Sequence, residues 1–478
     1  MPLPSQTVDA TPSIAPRLGL SDTVSIIVGI VVGTAIFRSA PIVFTEAGGP
    51  GRAIALWLVG GALAWCGAVC YAELATTYPR DGGDYEYLSR AFGPWFGFLF
   101  AWAQLTAIIS GNIAVMACAF ADYGLRLWPS WDERAVLLAI APVIGLSLLN
   151  ALGVVAGKWA QNLLTAAKII GIAGLVAAGL WVGFGAASAE PRAAAAVEPI
   201  TSTNLGLALV FVLYAYGGWT HAAYVAAEVR DQRRNLPRAL VLGIVGVMVV
   251  YLVTNVAYLA ALGFDGARHT RTPAADVLEA ACGPWGVRAI SLLVMLSALG
   301  AINGMVLTAS RIYAEWGADY PALAWLGAWN RRTAAPVAAI TVQAVIAVLL
   351  IALVGTTVGR NFFDAALASL GLAALPWGNF LGGFEILVAG SAPVFWGLCL
   401  LTGVAVFVLR AKDKAAERPF RIPLFPLPPL VFCVTCAYML WASAYYAKWL
   451  VLLGVVPLTI GGLLGIVARR GATSQEQS

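Results

Sequence analysis

The sequence predicts an all-α membrane protein of twelve transmembrane helices: a 5+5 inverted repeat with broken helices 1 and 6, plus two C-terminal helices. Three observations carry that prediction. Of 478 residues, 60% are hydrophobic and only 11% are charged, whereas a soluble domain carries about 25% charge. Apolar runs of about 20 residues, the length of one spanning helix, recur along the whole chain. Residues that interrupt helices recur at matching places in its two halves.

The runs fall at 18–46, 52–78, 94–123, 135–153, 159–184, 204–228, 237–262, 286–313, 336–356, 383–410, 424–446 and 447–468. Their length and unbroken apolarity read as helices, because a membrane barrel shows short alternating segments instead. The chain then divides into a tail at 1–17, a first five-helix repeat at 18–184, a second at 204–410, helices 11–12 at 424–468, and a tail at 469–478. An even number of spans puts both termini on one side. Eighteen Lys and Arg fall on that side and nine on the other. The positive-inside rule therefore places both termini in the cytoplasm of a cell that carries this multi-pass protein in its plasma or inner membrane.

Other classes are disfavoured by the same inventory. The net charge of +5 is gathered on one side of the membrane and forms no basic stripe, so no nucleic-acid partner is expected. Met1–Pro16 has neither positive charge nor apolar core, so it reads as a polar tail and not a signal peptide. Six of the seven cysteines lie in apolar runs, which is no disulfide framework. Cys433 and Cys436 have the spacing of a zinc half-site but lack a second pair, and the two histidines are far apart. No metal, cofactor or enzymatic nucleophile set is expected.

The repeat is legible in two places. Gly93-Pro94-Trp95 opens span 3 and Gly283-Pro284-Trp285 opens span 8, 190 residues later. Span 1 carries Gly29 and Gly33-Thr34-Ala35, and span 6 carries Tyr214-Ala-Tyr216-Gly217-Gly218-Trp219. Five helices per unit is an odd number, so the second unit enters the membrane upside down. Backbone leaves the helix inside a membrane only where it lines a cavity or is buried in protein. Paired breaks therefore point to a binding site, where half-helix N-termini offer amides to an anion and freed carbonyls accept from an ammonium group. Close helix packing through small residues is the competing explanation for the glycines.

Five motifs in order resemble the amino acid–polyamine–organocation (APC) superfamily, over about 18–470. They are Gly33-Thr-Ala-Ile-Phe37 with Ser39 and Pro41; Tyr71-Ala-Glu73 through Tyr78-Pro-Arg80-Asp-Gly82-Gly83-Asp84-Tyr85; the Tyr214–Trp219 run with Glu228 and Asn235-Leu-Pro237; Asn303-Gly304 with Ser310-Arg311; and Arg410 with Glu417-Arg-Pro-Phe-Arg-Ile-Pro423. The sixth-helix run is most similar to the L-type amino-acid transporter group. The resemblance implies a substrate site of Val31, Gly33, Thr34, Ala35, Ile36, Tyr214, Tyr216, Gly217, Gly218 and Trp219, with Tyr214 as an aromatic outer gate. Two departures stand out. Ala35 replaces the usual glycine of the first break and should narrow the pocket floor. The stretch from Gly355 to Gly390 is also longer than usual.

Lys168 sits mid-span with no nearby acid, nine residues or about 14 Å beyond Trp159. An ammonium at that depth costs about 3 kcal/mol or more, and snorkelling to the interface is the bland alternative. In sodium-coupled relatives an ion bridges helices 1, 5 and 8. The resemblance places Lys168 and Ser297 around that position, where the ammonium would replace the ion and bind first-helix carbonyls. As a fixed pin it favours exchange or facilitated transport, and as a titrating group it favours proton symport. Glu73, Arg80, Glu228 and Arg311, with Arg230 and Arg234, gather near cytoplasmic span ends and read either as an inner gate or as interfacial anchors. Arg38 either attracts a substrate carboxylate or is a plain helix-end cation.

The central parts of spans 1 and 6, and spans 3 and 8, contain no Asp or Glu. A cationic substrate needs a carboxylate in its pocket, so the expectation is a sodium-independent secondary transporter of neutral L-amino acids working by alternating access. A polyamine or cationic amino-acid carrier is the alternative. A non-transporting amino-acid sensor is the least expected, since the tails leave no long output domain. Animal L-type transporters join a glycoprotein through a cysteine after span 3. Gly124–Arg134 has none, so no disulfide-linked ancillary subunit is expected beyond the amino-acid substrate and the lipid bilayer.

Overall fold

The computed structural model describes residues 16–185, 203–270, 272–369 and 383–475, with Gly371, Ala374 and Trp377 between. Residues 1–15 of the expected tail at 1–17 and the segment 186–202 lie outside these residues, as does most of 370–382. Helices dominate. The first eight are α1 (Leu20–Val31), α2 (Ile36–Ala47), α3 (Pro50–Thr77), α4 (Asp84–Phe92), α5 (Pro94–Ala103), α6 (Ile109–Leu127), α7 (Ala135–Ala151) and α8 (Val154–Phe184). After the undescribed segment come α9 (Leu205–Ala215), α10 (His221–Tyr224), α11 (Gln232–His269), α12 (Pro273–Cys282) and α13 (Trp285–Asp319). The chain continues with α14 (Val337–Gly355), α15 (Thr357–Ser369), α16 (Gly383–Lys412), α17 (Leu427–Ala447) and α18 (Leu452–Gln475). Among the described residues β pairing is limited to two isolated bridges, one joining Leu18 to Val229.

Among the described residues, nine helical runs are long and apolar enough to cross a membrane, or ten when α1 and α2 count as one span bent by 57°. Helix α9 is apolar but short, and α17 with α18 passes as one continuous run, Leu427–Ile466. Prolines at the first turn of α3, α5 and α12 start those helices where no N–H is needed. Helix α13 is the most enclosed, whereas α8 turns Leu163, Ile170 and Trp181 outward. This is the layout of a lipid-facing ring around a packed centre.

Three features differ from the sequence reading. Span 3 is interrupted by a π-helical turn at Gln104–Ile108. The stretch from Gly355 toward Gly390 is not a plain loop, because α15 occupies thirteen of its residues. The Gly-Pro-Trp triplets each join a short helix to a long run: α4 to the α5–α6 run through Gly93 (φ +107°), and α12 to α13 through Gly283 (φ +62°). Uniformly apolar helices give no periodicity from which α4 and α12 could be separated as distinct elements.

Candidate substrate-binding site

The first break begins at Val32, which leaves the helix at φ −76° and ψ 69°. The Gly33 amide turns back onto the Val31 carbonyl at 2.8 Å, and helix resumes only at Ile36. A break of this kind frees carbonyls at the end of one half-helix and amides at the start of the next. Side chains from three helices claim the carbonyls. Lys168 of α8 donates from Nζ to Gly29 O at 2.6 Å. Ser297 of α13 donates from Oγ toward Val32 O and Gly33 O, at 3.0 and 3.1 Å. The Tyr251 hydroxyl of α11 lies 2.8 Å from Val31 O and 2.8 Å from Ala215 O, so one proton serves the ends of both broken helices. Among the described residues the amides of Thr34, Ala35 and Ile36 have no acceptor.

The second break separates α9 from α10 over Tyr216–Thr220. Gly218 sits at φ +107°, a conformation open to glycine and strained for side chains. A Cβ there would stand 2.8 Å from Ile30 Cγ2, so the two breaks pack directly against each other. Between them opens a cavity of about 110 Å³. Val31, Gly33, Thr34 and Ala35 line it from the first break, and Tyr214, Gly217 and Gly218 from the second. Its remaining wall includes Gln104, Asn112, His221, Tyr224, Met305, Phe395 and Trp396, and among the described residues none that lines it is Asp, Glu, Lys or Arg. His221 Nδ1 lies 2.7 Å from Thr308 Oγ1. Two buried oxygens of the lining have no partner: Thr34 Oγ1 and Gln104 Oε1. The π turn begins at Gln104, in the stretch of span 3 that lines the cavity.

Several expected site residues lie elsewhere. Ile36 is fully buried and does not line the cavity. Tyr216 donates its hydroxyl to Trp57 O at 3.0 Å and packs on Trp57 and Tyr251. Trp219 stands edge-on to Tyr71, 5.0 Å between centroids. The break turns the chain, so neighbours in sequence point to different places. Arg38 is 3.5 Å from Asp122, an ion pair at the margin and not a cavity cation. Lys168 does not snorkel, because its side chain is fully buried against α1.

The four expected gate residues do not form one cluster. Glu228 and Arg311 form a buried pair, Nε to Oε1 at 2.7 Å. Glu73 instead accepts from Arg410 Nε at 2.7 Å and from the Ile422 amide at 2.8 Å. Arg80 reaches Glu315 and Asp319, each at 2.8 Å. The residues that sequence reasoning missed are Gln104, Asn112, His221 and Tyr251. Each is a polar group inside an apolar run, which is itself a signal of function in a membrane.

A ring of apolar helices around two broken ones, with a cavity between the breaks, defines a membrane transport protein. Residues 18–468 match the amino acid permease family. The chain is similar to the b(0,+)-type amino acid transporter 1 of Mus musculus, 30% identical over 434 residues that span 89% of this chain and 82% of the relative. The Homo sapiens form is 29% identical, over 87% and 80%. The large neutral amino acids transporter small subunit 2 of Mus musculus is 34% identical over 62% of this chain and 57% of its own length. The chain belongs to the amino acid permease family, within the APC superfamily and alongside its L-type group. These relatives are transporters, not enzymes.

Proposed function

We propose that the protein carries neutral L-amino acids across the cytoplasmic membrane by alternating access and without sodium. The observation that carries this reading is the start of α2: among the described residues, three amides without acceptors, at the positive end of a twelve-residue helix, at the wall of a cavity without charged lining. Such a helix start suits a carboxylate. Among the described residues the carbonyls of Tyr216 and Gly217 accept no hydrogen bond, and they suit the ammonium group. The absence of acidic lining supports a substrate whose side chain is neutral.

Lys168 Nζ and Ser297 Oγ hold the carbonyls that an ion bridging helices 1, 5 and 8 would otherwise hold. That arrangement supports sodium independence. The matching helix–glycine–helix units at Gly93 and Gly283 support two inverted five-helix repeats, over 18–184 and 204–410, followed by two helices. The distribution of Lys and Arg supports termini in the cytoplasm. In that orientation the buried Glu228–Arg311 pair shuts the cytoplasmic end, with Glu73–Arg410 and Arg80–Glu315 beside it. Lacking cysteine between Gly124 and Arg134, the chain works without a disulfide-linked partner at that loop.

The test is uptake into proteoliposomes of a labelled panel of alanine, serine, leucine, phenylalanine, lysine, arginine and putrescine, with and without internal substrate and sodium. Neutral members should be exchanged equally well in sodium and in choline. Sodium-driven accumulation, or preference for a cationic member, overturns the reading.

A further inference from the structure

Beneath the cavity lies a polar group that the substrate site does not use. The loop after α3 passes directly under Tyr224, a cavity-lining residue. The Gly82 amide donates to Tyr224 O at 3.1 Å, and a Cβ on Gly83 would stand 2.7 Å from the Tyr224 ring. Gly82 and Gly83 hold φ of +91° and +53°, a turn that L side chains rarely adopt. The preceding Asp81 is only 2% exposed. Its Oδ1 accepts the Ala227 amide at 2.9 Å, and its Oδ2 has no partner.

The next residue after Ala227 is Glu228, whose Oε1 is bound by Arg311 and whose Oε2 has no partner. Arg311 spends Nη1 on Leu307 O and Ser310 Oγ and leaves Nη2 without a partner. The charged and titratable groups facing Asp81 are Glu228 from the 226–228 turn, Arg311 and Glu315 from α13, and Tyr87 from α4. Its neighbour Arg80 is committed to Glu315, Asp319 and Glu86. Two buried carboxyl groups therefore stand near one buried guanidinium, which is bonded to Glu228 and not to Asp81. An unpaired carboxylate in such a place costs several kcal/mol and is relieved by taking up a proton. The acid form also adds a donor where the cluster otherwise leaves two oxygens unmatched.

We infer that Asp81 is a proton-binding site of this carrier, occupied while the Glu228–Arg311 end is shut and emptied into the cytoplasm when that pair parts. The inference rests on the transport reading above and assigns its coupling ion. The proton enters past Tyr224, which lines the cavity and packs on the Gly82–Gly83 turn beside Asp81. On opening, the Asp81 O–H bond breaks, the carboxylate keeps the electron pair, and the proton passes to cytoplasmic water. Burial, reinforced by the Glu228 and Glu315 charges, pushes the Asp81 carboxyl well above the usual carboxylate range. The sign follows: the shut form binds the proton more tightly than the hydrated open form, so acid outside and alkali inside drive substrate inward. Lys168 then remains a fixed pin.

The experiment uses the full chain in proteoliposomes with a labelled mixture of alanine, serine, leucine and phenylalanine. For one proton per substrate, the wild type should accumulate label about tenfold per pH unit of inward gradient. Asp81→Asn should keep counterflow at symmetric pH and lose accumulation, and Asp81→Glu should restore it. As a second measurement, a trapped pH dye should report luminal acidification when unlabelled mixture is added outside wild-type vesicles. Wild-type counterflow with no gradient response and no acidification overturns the proton site alone. Gradient-driven accumulation by Asp81→Asn does the same. No wild-type counterflow of any component overturns the carrier reading itself.

Discussion

Replacing Lys168 by methionine separates the two things a buried ammonium does. The side chain is fully buried, and its hydrogen bond to Gly29 O spans 2.6 Å. Among the described residues no ion pair offsets its charge. Methionine keeps most of the volume, so it avoids the cavity that Lys168→Ala would open, itself a loss of about 2–5 kcal/mol. What it removes is a charge-assisted hydrogen bond worth about 1.5–3 kcal/mol. It also removes the burial of an unpaired charge, which acts in the opposite direction. Global stability should therefore change little or rise. The hold on the first break should weaken by the full hydrogen-bond term, or about ten- to a hundredfold in the population of the competent backbone. The assay is counterflow of a neutral amino acid beside thermal unfolding of the same detergent-purified preparation. A well-folded Lys168→Met protein with wild-type affinity and turnover would refute the reasoning.

Gly218→Ala should cut substrate affinity by tenfold or more while the protein stays monodisperse, because φ of +107° and the 2.8 Å approach to Ile30 forbid a Cβ; substrate-induced thermal shift reads it, and unchanged affinity removes the second break from the site. Tyr251→Phe should lower turnover, since Val31 O and Ala215 O lose a shared donor worth about 1–3 kcal/mol; equal initial rates in matched vesicles would show that the hydroxyl is packing only. Leucine or alanine should stabilise the purified protein more than arginine or putrescine does, and the reverse order would bring forward the polyamine alternative.

The sequence made the apolar helices and the first break readable because a bilayer imposes them: span length and the placing of helix breaks are each set by the solvent. The depth of Lys168 was readable for the same reason, since counting residues from Trp159 measures distance into the membrane. Orientation within the breaks was not. Tyr216 and Trp219 flank the two glycines that line the cavity, yet both pack away from it. No helical period applies where the helix is interrupted, so adjacency in sequence carries no facing information. The partners of Glu73 were unreadable for another reason. Arg410 lies 337 residues away, and any interfacial arginine fits the charge pattern equally well. The cavity wall from α16 comes from a mainly apolar helix, in which Phe395 and Trp396 look like any other aromatic residues.

The three donors on the first break decide more than stability. Gly29 O, Val31 O, Val32 O and Gly33 O are each already satisfied by a side chain. On the proposed reading, an ammonium group in the cavity would turn to the carbonyls that, among the described residues, accept no hydrogen bond: Ile30 O, Tyr216 O and Gly217 O. A carboxylate finds the reverse: free amides at Thr34, Ala35 and Ile36, reinforced by the α2 dipole. On the proposed reading the zwitterion would be oriented by what the protein has already bound to itself. Its side chain would then face Gln104, Asn112, His221 and the aromatic pair Phe395 and Trp396, which line the cavity. On the proposed reading a bound molecule that reaches both broken helices would tie the two breaks together, and Tyr251, which touches both, is placed to register the connection. Substrate binding and the relative position of the two breaks would then be one equilibrium, which is the physical requirement for a carrier whose access side changes with occupancy.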